Sequence, residues 1–151
     1  MAAGVRRPAA AGVHRSRAAT DTSALAATIM EVAVGALLTP VMTAYRTRFV
    51  LSPQVLWGNV ASALAGAAGM IADAYPAAGD RAGAVVARML ELPPLAGTGA
   101  LVRPDPAHPR RFLVRRNCCL YYRIPGGGTC GDCVLTRDTD RRRHWREVLT
   151  R

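Results

Sequence analysis

Apolar residues recur at helical spacing through the first two thirds of the chain. Leu25, Ile29, Val32, Leu37 and Leu38 follow Asp21, Thr22 and Ser23, three residues of the type that caps helices, and the spacing predicts a helix over about 22–38. Pro40 is expected to interrupt it. Val41, Met42, Tyr45, Phe49 and Val50 then predict a second, shorter helix to about Leu51. Ser52-Pro53 repeats the start signal, with serine as cap and proline at the first helical position. A third helix follows from Pro53 to about Tyr75, in which Val55, Leu56, Val60, Leu64, Ala68 and Ile71 make the apolar face and Gly58, Gly66 and Gly69 leave room for a neighbour. Pro76 is expected to stop it and Asp80 to cap a fourth helix that reaches Leu92 before Pro93-Pro94.

The pattern then changes. Five prolines between Pro93 and Pro109, with interspersed glycine, predict a linker over 95–110 without regular structure. Beyond it Phe112–Val114 and Leu120–Ile124 read as extended segments, joined to the rest by a Pro125-Gly126 turn. Asp138–Leu149 reads as a final basic helix with Trp145, Val148 and Leu149 on one side. The expected organisation is a basic tail over 1–20, a helical domain over 21–94, the linker, a cysteine-rich module over 111–137 and the terminal helix over 138–151. The fold class is mainly α, a helical bundle-like domain followed by a small cysteine-rich module with short extended segments.

Composition narrows the class. Half of the 151 residues are apolar and 20% are charged, too hydrophobic for a disordered chain. The net charge is +10, but all 20 cations are arginine, which weakens the chemical meaning of the excess. Residues 1–20 carry four arginines and no acid, residues 21–102 four arginines against five acids, and residues 103–151 twelve against five, so the basicity lies at the two ends. The basic start has no apolar stretch behind Arg6 and Arg7 and fails as a secretory signal, while an organelle transit peptide shares its composition. The most apolar run, Ala24 to Leu38, is about 15 residues, short of the roughly 20 that span a bilayer. The expectation is a cytoplasmic protein without a membrane span.

Several weaker signals reduce to ordinary ones. Arg141-Arg142-Arg143 invite a nucleic-acid reading, but no recognition helix or stacking motif accompanies them. Tyr121 and Tyr122 read as packing residues, Ser52 as a cap and Trp57 as core. His14, His108 and His144 form no pair at ligand spacing. Gly126–Gly128 lacks the ending and the following helix of a phosphate loop.

The four cysteines carry the strong signal, because all of them fall between Cys118 and Cys133 in the pattern Cys118-Cys119, ten residues, Cys130-Gly131-Asp132-Cys133. Three readings compete: zinc, disulfides and an iron-sulfur cluster. A secreted disulfide scaffold would spread its cysteines along the chain. Structural zinc normally uses two C-x2-C knuckles, and only Cys130 and Cys133 make one. Adjacent cysteines in an extended chain point apart, which suits two metal centres better than one and favours a two-iron cluster over zinc on spacing alone.

The segment from Arg115 to Cys133 closely resembles the C-terminal cluster motif of the FhuF-like ferric-siderophore reductases. The resemblance is carried by Arg115 and Arg116, Cys118 and Cys119, Tyr122-Arg123, the Pro-Gly turn, and Cys130 with Cys133. The helix with Trp57, Gly58 and Asn59 is similar to the one upstream of the cluster in that family, so the likeness extends over roughly residues 25–135. It implies a [2Fe-2S] cluster held by Cys118, Cys119, Cys130 and Cys133, with no other catalytic residue. It implies one-electron reduction of siderophore-bound iron(III) to iron(II), with Arg115, Arg116 and Arg123 as a potential-tuning or substrate rim. The partners would be the ferric siderophore and an external donor, a ferredoxin, flavodoxin or NAD(P)H-dependent reductase. The chain reads as a short member without the N-terminal half of the longer ones. The alternatives are a non-enzymatic [2Fe-2S] electron carrier or truncated remnant, and a zinc-binding protein that interacts with nucleic acid.

Overall fold

A computed structural model describes residues 21–150, so the basic tail over 1–20, with His14, lies outside the described residues. Asp21 caps helix α1, Thr22–Arg48, by accepting a hydrogen bond from the Ser23 amide. Pro40 does not break it. The helix widens to π geometry over Met30–Leu38, where the Thr39 amide and hydroxyl both reach the Val34 carbonyl, one residue further back than in an α-helix. Pro40 thus falls in the first turn of the α-helical stretch that follows the π segment, a position where its fixed φ and missing donor are tolerated, and the chain continues to Arg48. The apolar run read as too short for a bilayer is therefore part of a 27-residue helix whose most apolar 18-residue stretch has a mean hydropathy of 1.8. By length and composition α1 and the next helix are both long and apolar enough to cross a membrane, and each packs a face into the core described below.

Helix α2, Pro53–Ala74, begins as expected, with the Ser52 hydroxyl accepting from the Gln54 amide and proline in the first turn. A single residue, Tyr75, separates it from α3, Pro76–Met89. Pro76 thus opens a helix instead of only closing one, as its fixed φ and missing donor allow. Asp80 is not a cap but lies inside α3, where it pairs with Arg103 at 2.9 Å and Arg111 at 3.7 Å. Small residues let α2 and α3 approach closely: a Cβ on Gly79 would stand 2.8 Å from the Cβ atoms of Ala72 and Pro109. The core runs through Ala26, Met30 and Val34 of α1, Val60, Ala61 and Ala65 of α2, and Val85, Val86 and Met89 of α3, closed by Leu95 and Leu113.

The segment read as a linker contains strand β1, Gly99–Val102, antiparallel to β2, Phe112–Arg115, with Gly99 opposite Arg115 and Val102 opposite Phe112. The prolines flank β1 and do not enter it, so its ladder bonds survive. Leu120–Ile124 is not extended. Leu120 takes the left-handed conformation (φ 68°) and Tyr121–Arg123 forms a 3-10 turn. Helix α4, Asp138–Leu149, matches its expected span. Among the described residues the fold is thus four helices and a two-stranded sheet, mainly α as the sequence predicts.

Trp145 fastens α4 to the sheet. It is 1% exposed and stacks on Phe112 with ring centroids 5.2 Å apart. Truncating so buried an indole costs about 3–5 kcal/mol. Trp145→Ala is expected to lower the midpoint of thermal unfolding by roughly 10 °C. A midpoint within 2 °C of the parent would show that α4 is not part of the cooperative unit.

Candidate metal centre

The strand β2 delivers the chain to the cysteines through Arg115, whose backbone amide donates to Asp132 in the Cys130–Cys133 loop at 3.4 Å. That loop is a tight turn in which the Cys133 amide bonds the Cys130 carbonyl at 3.0 Å. Its Asp132 carboxylate accepts from the Ser62 hydroxyl of α2, so a side-chain bond ties the loop to a core helix. Cys119 and Cys130 stand with their sulfurs 3.4 Å apart. Two thiolates on one tetrahedral metal with bonds of about 2.3 Å sit roughly 3.8 Å apart, close to that separation. Cys118 and Cys133 do not join them around a common point, and among the described residues no three His, Cys, Asp or Glu side chains gather as one ion would need. A two-metal cluster takes its thiolates in pairs and does not need that convergence.

Each sulfur meets the backbone two residues further on. The Leu120 amide donates to Cys118 at 3.3 Å and the Leu135 amide to Cys133 at 3.4 Å. The Tyr121 and Asp132 backbones do the same for Cys119 and Cys130. Such bonds favour the thiolate over the thiol. The left-handed turn at Leu120, disfavoured for a residue with a Cβ, is what swings two of these amides back onto the adjacent cysteines. Burial works on Cys119 against ionisation, but the hydrogen bonds from the Tyr121 backbone and Cys130, with the nearby Arg115 charge, outweigh it and bring its thiol below the ordinary value. Burial and the neighbouring Cys119 push Cys130 up to about 11.

The arginines divide sharply. Arg115 is no rim residue: it is 3% exposed, donates to Asn59 Oδ1 at 2.9 Å and the Asn117 carbonyl at 3.2 Å, and meets no carboxylate within salt-bridge distance among the described residues. A buried cation without an anion is costly, and a net-negative thiolate cluster beside it removes that cost. Arg116 and Arg123 are exposed, Arg123 lying over the Tyr122 ring. Arg110, Arg111 and Arg137, which flank the cysteines in the sequence, are engaged by Asp73, Asp80 and Asp140. The donor set, four thiols with amides on their sulfurs and one uncompensated buried cation, fits a cluster of net negative charge.

Sequence reasoning missed Ser62, Asp132 and Asn117, whose contacts join segments 60 or more residues apart. Of these only Asp132, inside the C-x2-C knuckle, carried a positional signal. The Trp57-Gly58-Asn59 stretch acquires its reason here. Asn59 holds Arg115, and a Cβ on Gly58 would collide with the Asn117 amide and come within 2.8 Å of Arg115 Nη2. Alanine normally stabilises a helix interior by about 1 kcal/mol over glycine. Gly58→Ala is expected to do the opposite, lowering both the unfolding midpoint and the metal retained on gel filtration. A more stable variant with full metal would show that Asn117 and Arg115 do not need that space.

Cys119 and Cys130 also open onto a cavity of about 710 Å³ between the projecting end of α1 and the cysteine loop. Met42, Tyr45, Tyr121 and Ile124 contribute to its apolar lining, and Ser62 and Arg115 also line it.

Comparison with known proteins agrees with the geometry. No curated protein and no solved structure matches the chain. Residues 115–135 match the family model described as the FhuF 2Fe-2S C-terminal domain, which identifies that segment as a FhuF-like cluster region whose cofactor is a [2Fe-2S] cluster.

Proposed function

We propose that this protein is a ferric-siderophore reductase, passing one electron at a time to iron(III) in an organic chelate, with Cys118, Cys119, Cys130 and Cys133 as the ligands of its cluster. The observation that carries the reading is the 710 Å³ cavity onto which Cys119 and Cys130 open, because an acceptor of chelate size can approach two of the four sulfurs directly. When bound, a [2Fe-2S] cluster supplies single electrons over a wide range of potentials. The chain's own residues set the conditions. Arg115 favours the more negative reduced state, the amides of Leu120 and Leu135 spread charge off the sulfurs, and the apolar wall from Met42, Tyr45 and Ile124 offers the chelate a surface. The electron converts iron(III) to iron(II), which hard oxygen ligands hold less tightly, and the metal is released. A ferredoxin, flavodoxin or NAD(P)H-dependent reductase restores the electron, in a reducing, cytoplasmic setting.

The test combines analysis and kinetics. Anaerobically purified protein is expected to be red-brown, with about two irons and two sulfides per chain and an EPR signal after reduction. Stopped-flow mixing of the reduced protein with a ferric siderophore is expected to bleach that signal faster than the reductant alone reduces the chelate. Equal rates would reject the reductase and leave a passive carrier; a colourless protein with one zinc would reject the cluster.

A further inference from the structure

The start of α4 closes a second cavity of about 200 Å³ on another side of Cys130, lined by Thr129, Cys130, Gly131, Thr136, Arg141 and His144. Two polar atoms of its lining residues, Thr136 Oγ1 and Arg141 Nε, are buried and have no hydrogen-bond partner in the protein. Arg141 is held still. Its Nη1 donates to the Cys133 carbonyl at 3.3 Å, its Nη2 lies 3.7 Å from Asp138, its guanidinium stands over Trp145, and its side chain is 11% exposed. The Nε edge is what remains unsatisfied. His144 flanks the cavity with Nε2 3.8 Å from where a Cβ on Gly131 would be. A fixed cation, a hydroxyl and an imidazole around a space of this size match the donors that recognise a carboxylate or phosphate group.

We propose that this cavity binds a small oxyanion and that its occupancy opposes electron loading of the neighbouring cluster. Cys130 belongs to both places, so an anion seated here repels the extra negative charge of the reduced state. Linkage makes the effect reciprocal: the anion lowers the reduction potential, and reduction weakens the anion's binding by the same factor. Release of the oxyanion would then accompany charging of the protein, and its return would favour electron delivery. The inference rests on the four-cysteine cluster and not on the reductase activity.

The probe is inorganic phosphate, with acetate in a parallel series, at constant ionic strength set with chloride so that general screening does not change. The holoprotein is titrated electrochemically with and without each anion. Saturating phosphate is expected to lower the midpoint by about 59 mV, the equivalent of tenfold weaker binding to the reduced form. A response to phosphate alone assigns a phosphate ligand; a response to acetate as well assigns a carboxylate, such as one carried by a chelate. Arg141→Gln and, independently, Thr136→Val are expected to abolish the shift, the second leaving the bond to the Cys133 carbonyl in place. Calorimetry of phosphate with the oxidised protein reads the site whether or not electrons reach a chelate. An unmoved midpoint, or an equal shift in both variants, overturns the proposal.

Discussion

Cys133→Ser is expected to purify without the visible chromophore and with iron near zero per chain, while its helical circular dichroism stays close to that of the parent. Cys133 is the one cysteine of the four that is buried, 4% exposed against the half-buried Cys118, Cys119 and Cys130. Its backbone makes the C-x2-C turn, its carbonyl accepts from Arg141 and its sulfur accepts from the Leu135 amide. Serine keeps the first two contacts and removes the thiolate, so the loss falls on the metal before it falls on the fold. No fifth cysteine exists to replace it. Among the four serine variants this one is expected to lose metal most completely, because water cannot readily take the missing position in a buried site. A Cys133→Ser protein with full iron and an unchanged EPR signal would falsify the four-cysteine assignment.

The helices were legible because their signals are local. Ser52-Pro53 capped and opened α2, the period of apolar residues located α1 to α3, and Trp145 announced the buried side of α4. Three of the errors share one cause, punctuation read without tertiary context. Pro40 falls in the first turn of the α-helical stretch after the π segment, Pro76 starts a helix, and the proline-rich stretch hides β1 because strand pairing with Phe112–Arg115 decides its structure. The cysteine spacing favoured a two-iron cluster over zinc and the resemblance from Arg115 to Cys133 implied it, while the residues that surround the cysteines were invisible. Ser62 reaching Asp132, and Asn59 reaching Arg115, are encounters between distant segments that no period or motif encodes.

That hidden contact makes Arg115 the residue on which redox behaviour should depend most. As a surface cation it would act weakly and be screened by salt, which is what is expected of Arg116 and Arg123. Buried among neutral partners, its charge is screened far less. At an effective dielectric constant of about 20, a unit charge roughly 6–8 Å away is worth about 2–3 kcal/mol, near 100 mV for one electron. The sign follows from the charge balance. Removing a cation disfavours the more negative reduced state, so Arg115→Gln is expected to lower the midpoint by about that amount, and by nearly the same amount at low and high salt. Arg116→Gln is expected to move it by far less, with the difference vanishing as salt is raised. Glutamine preserves a donor for Asn59 but not the second bond to the Asn117 carbonyl, so some metal loss accompanies the shift, and the potential must be read on the metal-loaded fraction by spectroelectrochemistry. Arg115→Lys separates charge from geometry. It is expected to keep the potential near the parent's while losing the paired hydrogen bonds, since lysine carries the cation without the planar fork. If Arg115→Lys and Arg115→Gln shift the midpoint equally, the guanidinium acts through packing, and the electrostatic account of this site fails.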